Sequence, residues 1–272
     1  MADAVVRSGM AGADGPPSYW FAKVPNLGDA VAPALIRHLT GTDPVWVSKR
    51  YRGKLLTVGS VLDRVRPGDV VWGTGALRPK RIRAQGATYL AVRGPLTREL
   101  IEGMPVPEVY GDPALLLPRI HRPSVEPRYS VGVVPHYADQ DAIQSPDPER
   151  VPVIDVREPW RSVVDRIRAC RTILSSSLHG LVVAEAYGIP AVWIRAGDRL
   201  VGGDFKFRDY YLGTHREPPE PAPWSRGAAR ALERAEAPPP LDPSPLEDAW
   251  TAWMAATSMR GSPPGGVPPG RR

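Results

Sequence analysis

A single cysteine, Cys170, stands among 272 residues. That excludes an intramolecular disulfide and any cysteine zinc cluster built within one chain, and leaves the thiol as a small buried hydrophobe. Lysine is nearly as scarce: of 35 basic residues only five are lysine and the rest are arginine. No run of 18 apolar residues occurs, so no transmembrane helix is expected. The opening MADAVVRSGMAGADGPP lacks the charged-then-apolar layout of a secretory signal, and a cytoplasmic location is expected. GxSxG, HExxH and P-loop patterns are missing, as is any nucleic-acid-binding signature, so no nucleic-acid partner is expected.

What is abundant is proline, with 33 residues against a usual share of about 5%, many of them in the last sixty positions. The formal net charge of +6 is compatible with acidic substrates, anionic lipid headgroups or nucleic acid, and charge alone does not choose among them. Short β-branched runs (SYWFA, PVWVS, KLLTVGS, DVVWGTG, ATYLAVRG) alternate with amphipathic stretches, the first a helix from about Ala30 to Thr40 capped by Asp29 and stopped by Gly41. This is the pattern of a parallel sheet with covering helices. IHRPSVEPR reads as a linker, after which YSVGVVPHY, VPVIDV, a helix from about Pro159 to Cys170, RTILSS, a helix and PAVWI repeat the alternation. The expected division is an N-terminal Rossmann-like domain over 17–124, a second over 125–216, proline-rich connectors and docking helices over 217–260, and a disordered tail over 261–272. Leu246, Trp250, Trp253 and Met254 form an apolar stripe at helical spacing that predicts a docked helix.

RTILSSSLHGLVVAEAYGIPAVWI, residues 171–194, reads as strand, polar loop, helix, strand. The helix starts near Ser177 or Leu178 and ends near Gly188, with Pro190 preventing continuation. His179 therefore falls in the first turn, where unpaired N–H groups together with Ser175, Ser176 and Ser177 make an anion cradle at a strand's carboxyl end. Two readings stay open there: an imidazole that donates to an anion or transfers a proton, or a half-buried histidine bonded to a backbone carbonyl with the serines capping. Gly73 and Gly75 end another buried strand before Arg78, Lys80, Arg81 and Arg83, which form a backbone-first phosphate site or simply a solvated basic loop. Arg93 closes a further strand, where its guanidinium can hold a carboxylate or phosphate through paired hydrogen bonds, or a neighbouring acid. Asn26 and Asp29 in PNLGDA, His136 and Asp139 in VGVVPHYAD, and Lys206 in DFKFRDYY complete the candidates.

In order, NLGDA, VVWGTG, LAVRGPLTREL, VYGDPALLLP, VGVVPHYAD, SSSLHGLVVAEAYGIPAVWI and KFRDYY resemble the polysaccharide pyruvyl transferase family, over roughly residues 18 to 212. The resemblance implies an α/β fold of two Rossmann-like domains in a GT-B-like arrangement, the first on the acceptor side and the second on the donor side. It implies phosphoenolpyruvate as co-substrate, no cofactor and no metal, and a pyruvate ketal formed on a sugar of an exopolysaccharide or lipid-linked oligosaccharide. His179 and Arg93 are then catalytic; Ser175, Ser176, Ser177, Leu178, Gly73, Gly75 and Lys206 hold the donor; Asn26, Asp29, His136 and Asp139 line the acceptor side or cleft. Many members carry an arginine two residues before the motif histidine; this chain has Ser177, with Arg93, Arg78 or Lys206 as the compensating cation. A lipid-linked acceptor together with the basic charge implies peripheral association with the inner membrane face. Two other functions fit the same architecture: a sugar-nucleotide glycosyltransferase and a catalytically silent glycan-binding subunit.

Overall fold

A computed structural model describes residues 15–83, 85–145, 147–197, 202–224 and 227–259; the expected disordered tail from Gly261 lies outside the described residues. The first half runs β1 (Pro17–Ser18), α1 (Leu27–Ala30), α2 (Ala32–Thr40), β2 (Val45–Trp46), β3 (Leu55–Leu56), β4 (Val70–Trp72), β5 (Thr88–Ala91), α3 (Pro95–Glu99) and α4 (Leu117–Ile120). The second runs β6 (Gly132–Val134), α5 (Trp160–Arg168), β7 (Ile173–Ser175), α6 (Leu178–Ala186), β8 (Ala191–Arg195), α7 (Phe205–Gly213), β9 (Ala222–Pro223), α8 (Gly227–Leu232) and α9 (Ser244–Met259).

The strands form two parallel sheets, one in the order β2-β1-β3-β4-β5 and the other β6-β7-β8-β9. Parallel strands covered on both faces need side chains that are apolar in every position, and Val70, Val71 and Trp72 of β4 are all fully buried. The same logic removes amphipathicity from α6, whose Leu178, Leu181, Val182 and Val183 are buried on every side. It ends as the sequence asks: Gly188 takes a left-handed φ of 72°, which a glycine adopts without strain.

Three sequence readings change. The helix expected from Ala30 to Thr40 is split at Val31 into α1 and α2, and its cap is Asn26, whose Oδ1 accepts from the Asp29 amide at 3.2 Å. Asp29 is thereby inside α1 and its carboxylate is released for other partners. VPVIDV contributes only a bridge between Val153 and Val133. Beyond residue 216, where connectors and docking helices were expected, α8 and α9 are preceded by β9, which pairs with β8 through Ile194 and Ala222 and extends the second sheet.

One apolar cluster joins the two sheets: Leu35 and Trp72 from the first half meet Val134, Ile167 and Leu181 from the second. The predicted stripe docks α9 onto it. Leu246 and Trp250 are buried, the Trp72 indole donates to the Leu246 carbonyl at 2.7 Å, and Trp250 packs edge-on against Trp72 at 6.2 Å. Cys170 is buried as expected, its thiol pushed up to about 12 by burial. No helix among the described residues is long and apolar enough to cross a membrane.

Candidate active site

Carboxyl ends of parallel strands gather loops and helix N-termini, which is where open α/β sheets bind ligands. Here the ends of both sheets contribute to one cavity of about 170 Å³. From the first sheet come Tyr19, Phe21, Asn26 and Asp29 after β1, and Ser60 and Arg64 after β3; from the second come His136 after β6 and Ser177, Leu178 and His179 after β7, with Lys206 from α7.

His179 is the most constrained of these. Its ring lies against the backbone of Gly28, so closely that a Cβ there would sit 2.1 Å from Nδ1. Its Nε2 faces Asp112 Oδ2 at 3.4 Å. Asp112 is fully buried, and its other oxygen caps the following turn by accepting from the Ala114 amide at 3.0 Å. Neither Asp112 Oδ2 nor His179 Nε2 has a hydrogen-bond partner among the described residues, and 3.4 Å is beyond the usual N–H···O range. Two orphaned buried atoms thus face one another, a pair that a small closure would join. Gly28→Ala should therefore cut turnover at least tenfold through displacement of the ring, beyond what is explained by the lower melting temperature that overpacking of about 1–3 kcal/mol brings. A variant that keeps parent activity would show that the contact between Gly28 and the ring has no bearing on function.

At the start of α6, Ser177 takes the extended N-cap conformation yet its side chain caps nothing. The first-turn amides of Leu178 and His179 have no acceptor among the described residues. Those amides and the helix dipole favour an anion in the cavity. Lys206 adds a nearly buried ammonium, 7% exposed, with no ion-pair partner among the described residues. Burial, with a smaller effect from Arg93, lowers its pKa to about 8. His136 is driven the same way by burial, then by Lys206 and His179, down to about 3, so its ring is neutral near pH 7. Its Nδ1 accepts from the Ala138 amide at 3.2 Å, which puts the proton on Nε2. Asp29 accepts from the Phe21 amide at 3.1 Å and from the Asn26 side chain at 2.7 Å. Burial raises its pKa against these bonds and the nearby His179 and Lys206. Asp139 is 1% exposed with an unpartnered Oδ2 and favours the charged form of Lys206 from behind the cavity wall.

The other expected donor residues stand behind this wall. Ser175 Oγ shares its one proton between the Val134 and Ser177 carbonyls, both at 2.8 Å, and Ser176 Oγ accepts from the His136 amide at 2.9 Å, so these two serines tie the loops together. Gly73 packs on Pro113 and Gly75 on the Arg93 guanidinium. Arg93 is fully buried. It donates to Asp209 Oδ2 at 3.0 Å, Ser60 Oγ at 2.8 Å and the Ala76 carbonyl at 2.7 Å, and is absent from the cavity lining. The structure therefore makes Arg93 a brace: it fixes Ser60 on one side and α7, the helix that carries Lys206, on the other. Arg78 likewise lies outside the cavity, in the neighbouring basic cleft. The arginine that does line the cavity is Arg64, which the sequence reading missed, as it missed Asp112. Among the described residues no group of three or more His, Cys, Asp or Glu is placed to hold a metal ion.

Comparison with known proteins agrees with the motifs. The chain is 31% identical over 209 residues to an uncharacterized protein of Acanthamoeba polyphaga mimivirus, covering 71% of this chain and 72% of that protein. No solved structure matches significantly. Residues 26–198, which contain Asn26, Asp112, His136 and His179, match the polysaccharide pyruvyl transferase domain. The chain belongs to the polysaccharide pyruvyl transferase family.

Proposed function

We propose that the protein transfers the three-carbon unit of phosphoenolpyruvate to two hydroxyls of one sugar in a polysaccharide or lipid-linked oligosaccharide, forming a pyruvate ketal and releasing phosphate. The observation that carries this reading is His179, held between Gly28 and the buried Asp112 in the first turn of a helix whose N-cap side chain makes no capping bond. The donor's phosphate and carboxylate are matched by the first-turn amides, Ser177, Lys206 and Arg64. Arg64 and Lys206 supply the positive charge that Ser177 does not.

Imidazolium at His179 delivers its Nδ1 proton to the methylene carbon of the enol, while Asp112 holds the Nε2 proton and stabilises the charged ring. The first sugar hydroxyl bonds to the adjacent carbon as Asp29, a carboxylate with a raised pKa, takes its proton. The bond to phosphate then breaks and the leaving group receives that proton. The second hydroxyl closes the ketal and returns a proton to His179, so atoms and protons balance. Amides and Lys206 aimed at the departing phosphate act where charge develops. In this reading the first sheet forms the acceptor side and the second the donor side of a GT-B-like pair, working without a cofactor in the cytoplasm, at the inner membrane face when the acceptor is lipid-linked.

Incubation with phosphoenolpyruvate and a glycan panel tests this: phosphate release coupled to a mass gain of one carboxyethylidene group on the sugar is expected. Thermal stabilisation by nucleotide sugars, with no phosphate released from phosphoenolpyruvate on any glycan, would replace this reading with that of a glycosyltransferase.

A further inference from the structure

Beside the cavity lies a second cleft of about 400 Å³ that shares Tyr19, Phe21 and Arg64 with it and extends to Trp46, Lys23 and Lys49. Trp46 is 48% exposed, on the edge strand β2. A lone exposed apolar side chain needs no explanation, but this one is held in place. Its indole N–H donates to the Trp20 carbonyl at 3.1 Å, and its ring meets Tyr19 at a centroid distance of 6.3 Å. Tyr19 in turn lines the cavity that holds His179. An indole fixed before any ligand arrives loses little side-chain freedom on binding, and with its N–H already satisfied it offers only a π face.

We infer that Trp46, Tyr19 and Phe21 form a platform for the sugar next to the one that receives the ketal, and that this neighbouring part of the acceptor is acidic. A pyranose presents a flat face of C–H groups that packs on an aromatic ring, whose face is electron-rich. The walls shared with the cavity, Tyr19 and Phe21, select a glycan chain as the occupant, since the rest of the acceptor must lie next to the sugar being modified. The acidity follows from the cations at the rim. Among the described residues Lys23 and Lys49 have no ion-pair partner, and Arg64 pairs there only with its exposed neighbour Asp63 at 3.3 Å. A carboxylate or phosphate on the glycan meets the two lysines, which line this cleft alone, while Arg64 at the boundary of the two clefts stays with the donor.

This inference rests on the glycan-acceptor reading, and a binding assay separates the two. Parent, Trp46→Ala and Lys23→Glu/Lys49→Glu proteins are applied to an array of neutral, uronic-acid-bearing and phosphate-bearing oligosaccharides of one to six sugars, with phosphatidylglycerol vesicles as a separate arm. Phosphoenolpyruvate affinity is measured alongside by calorimetry. Parent protein should retain acidic oligosaccharides of two or more sugars. Trp46→Ala should lose at least tenfold affinity for them with unchanged phosphoenolpyruvate affinity and melting temperature, and the charge-reversed variant should lose the preference for acidic over neutral chains. Equal glycan binding by parent and Trp46→Ala overturns the platform while leaving the pyruvyl transfer intact. Vesicle binding that depends on Trp46, with no glycan retained, overturns it too and makes the face a membrane contact. Failure to bind phosphoenolpyruvate would strike the functional reading instead.

Discussion

His179→Gln lowers turnover by about 10²–10⁴-fold, the usual contribution of a general acid or base, with a melting temperature close to the parent's. Glutamine keeps much of the ring's volume and can donate its amide to Asp112, but it cannot release a proton near neutral pH. The small stability change follows from the partners. A structural histidine has its ring nitrogens satisfied, so its loss strands a buried group at a cost of about 1–3 kcal/mol. His179 Nε2 has no such partner to strand. Asp112→Asn should act in the same direction, because an amide in place of the carboxylate is a poorer acceptor for the ring N–H that faces it. Its Oδ1 equivalent can still cap the Ala114 amide, so the turn survives. The check is turnover at saturating phosphoenolpyruvate measured beside the melting temperature of the same preparation. A folded His179→Gln protein working at the parent rate ends the assignment, and attention moves to His136.

Lys206→Met should weaken phosphoenolpyruvate binding by about 10–100-fold, as expected for a lost charge-assisted contact of about 1.5–3 kcal/mol, and at the same time make the protein more stable. Its ammonium is almost entirely buried with no ion-pair partner among the described residues, and that burial is why its pKa falls from 10.5 to about 8. A lysine whose native pKa is depressed binds its proton less tightly folded than unfolded, so the native state carries the full penalty below about pH 8. The penalty, on the order of 3 kcal/mol, is relieved as pH rises from there towards the unfolded value. The stabilisation of Lys206→Met over the parent is therefore largest at pH 7 and fades towards pH 10.5. Bound donor should also restore the proton, so phosphoenolpyruvate binding near pH 8 takes up protons from the buffer, visible as a buffer-dependent heat. A variant that melts lower than the parent at pH 7 would show that Lys206 is held by interactions of its own and is not reserved for an anion. Activity that depends on a destabilising group is the ordinary trade between stability and function.

The opening of α6 was legible because its signals are local. A strand, three serines and a glycine–proline stop define a helix start within a residue, and that placed His179 in the first turn. His136 follows from its place after a strand, Asn26 and Asp29 from a turn before a helix, and the α9 stripe from its spacing, whereas the segment around Lys206, which reads as a charged surface turn, is the largely buried helix α7. Asp112 was not legible as a partner of His179, since capping its own turn accounts for an aspartate before Pro113, and nothing local says which distant ring its second oxygen meets. Arg93 shows the same limit in reverse. Its place at a strand's carboxyl end was read correctly, but Asp209, Ser60 and Ala76, which draw the guanidinium inward, come from three separate segments. Strands of two residues, such as β1 and β9, carry no periodicity at all, and only pairing defines them.

The docking of α9 also sets an order of events during synthesis. The Trp72 indole waits for a carbonyl that is made 174 residues later, and the face of β5 and Trp72 stays uncovered until residues 244–259 have emerged. Contacts this far apart in sequence make folding slow and leave apolar surface open in the meantime. The first sheet, translated first, is thus completed last. Nascent chains arrested before Leu246 should bind chaperones through the Trp72 face, and a tag fused within α9 would disturb the half of the protein most distant from it in sequence.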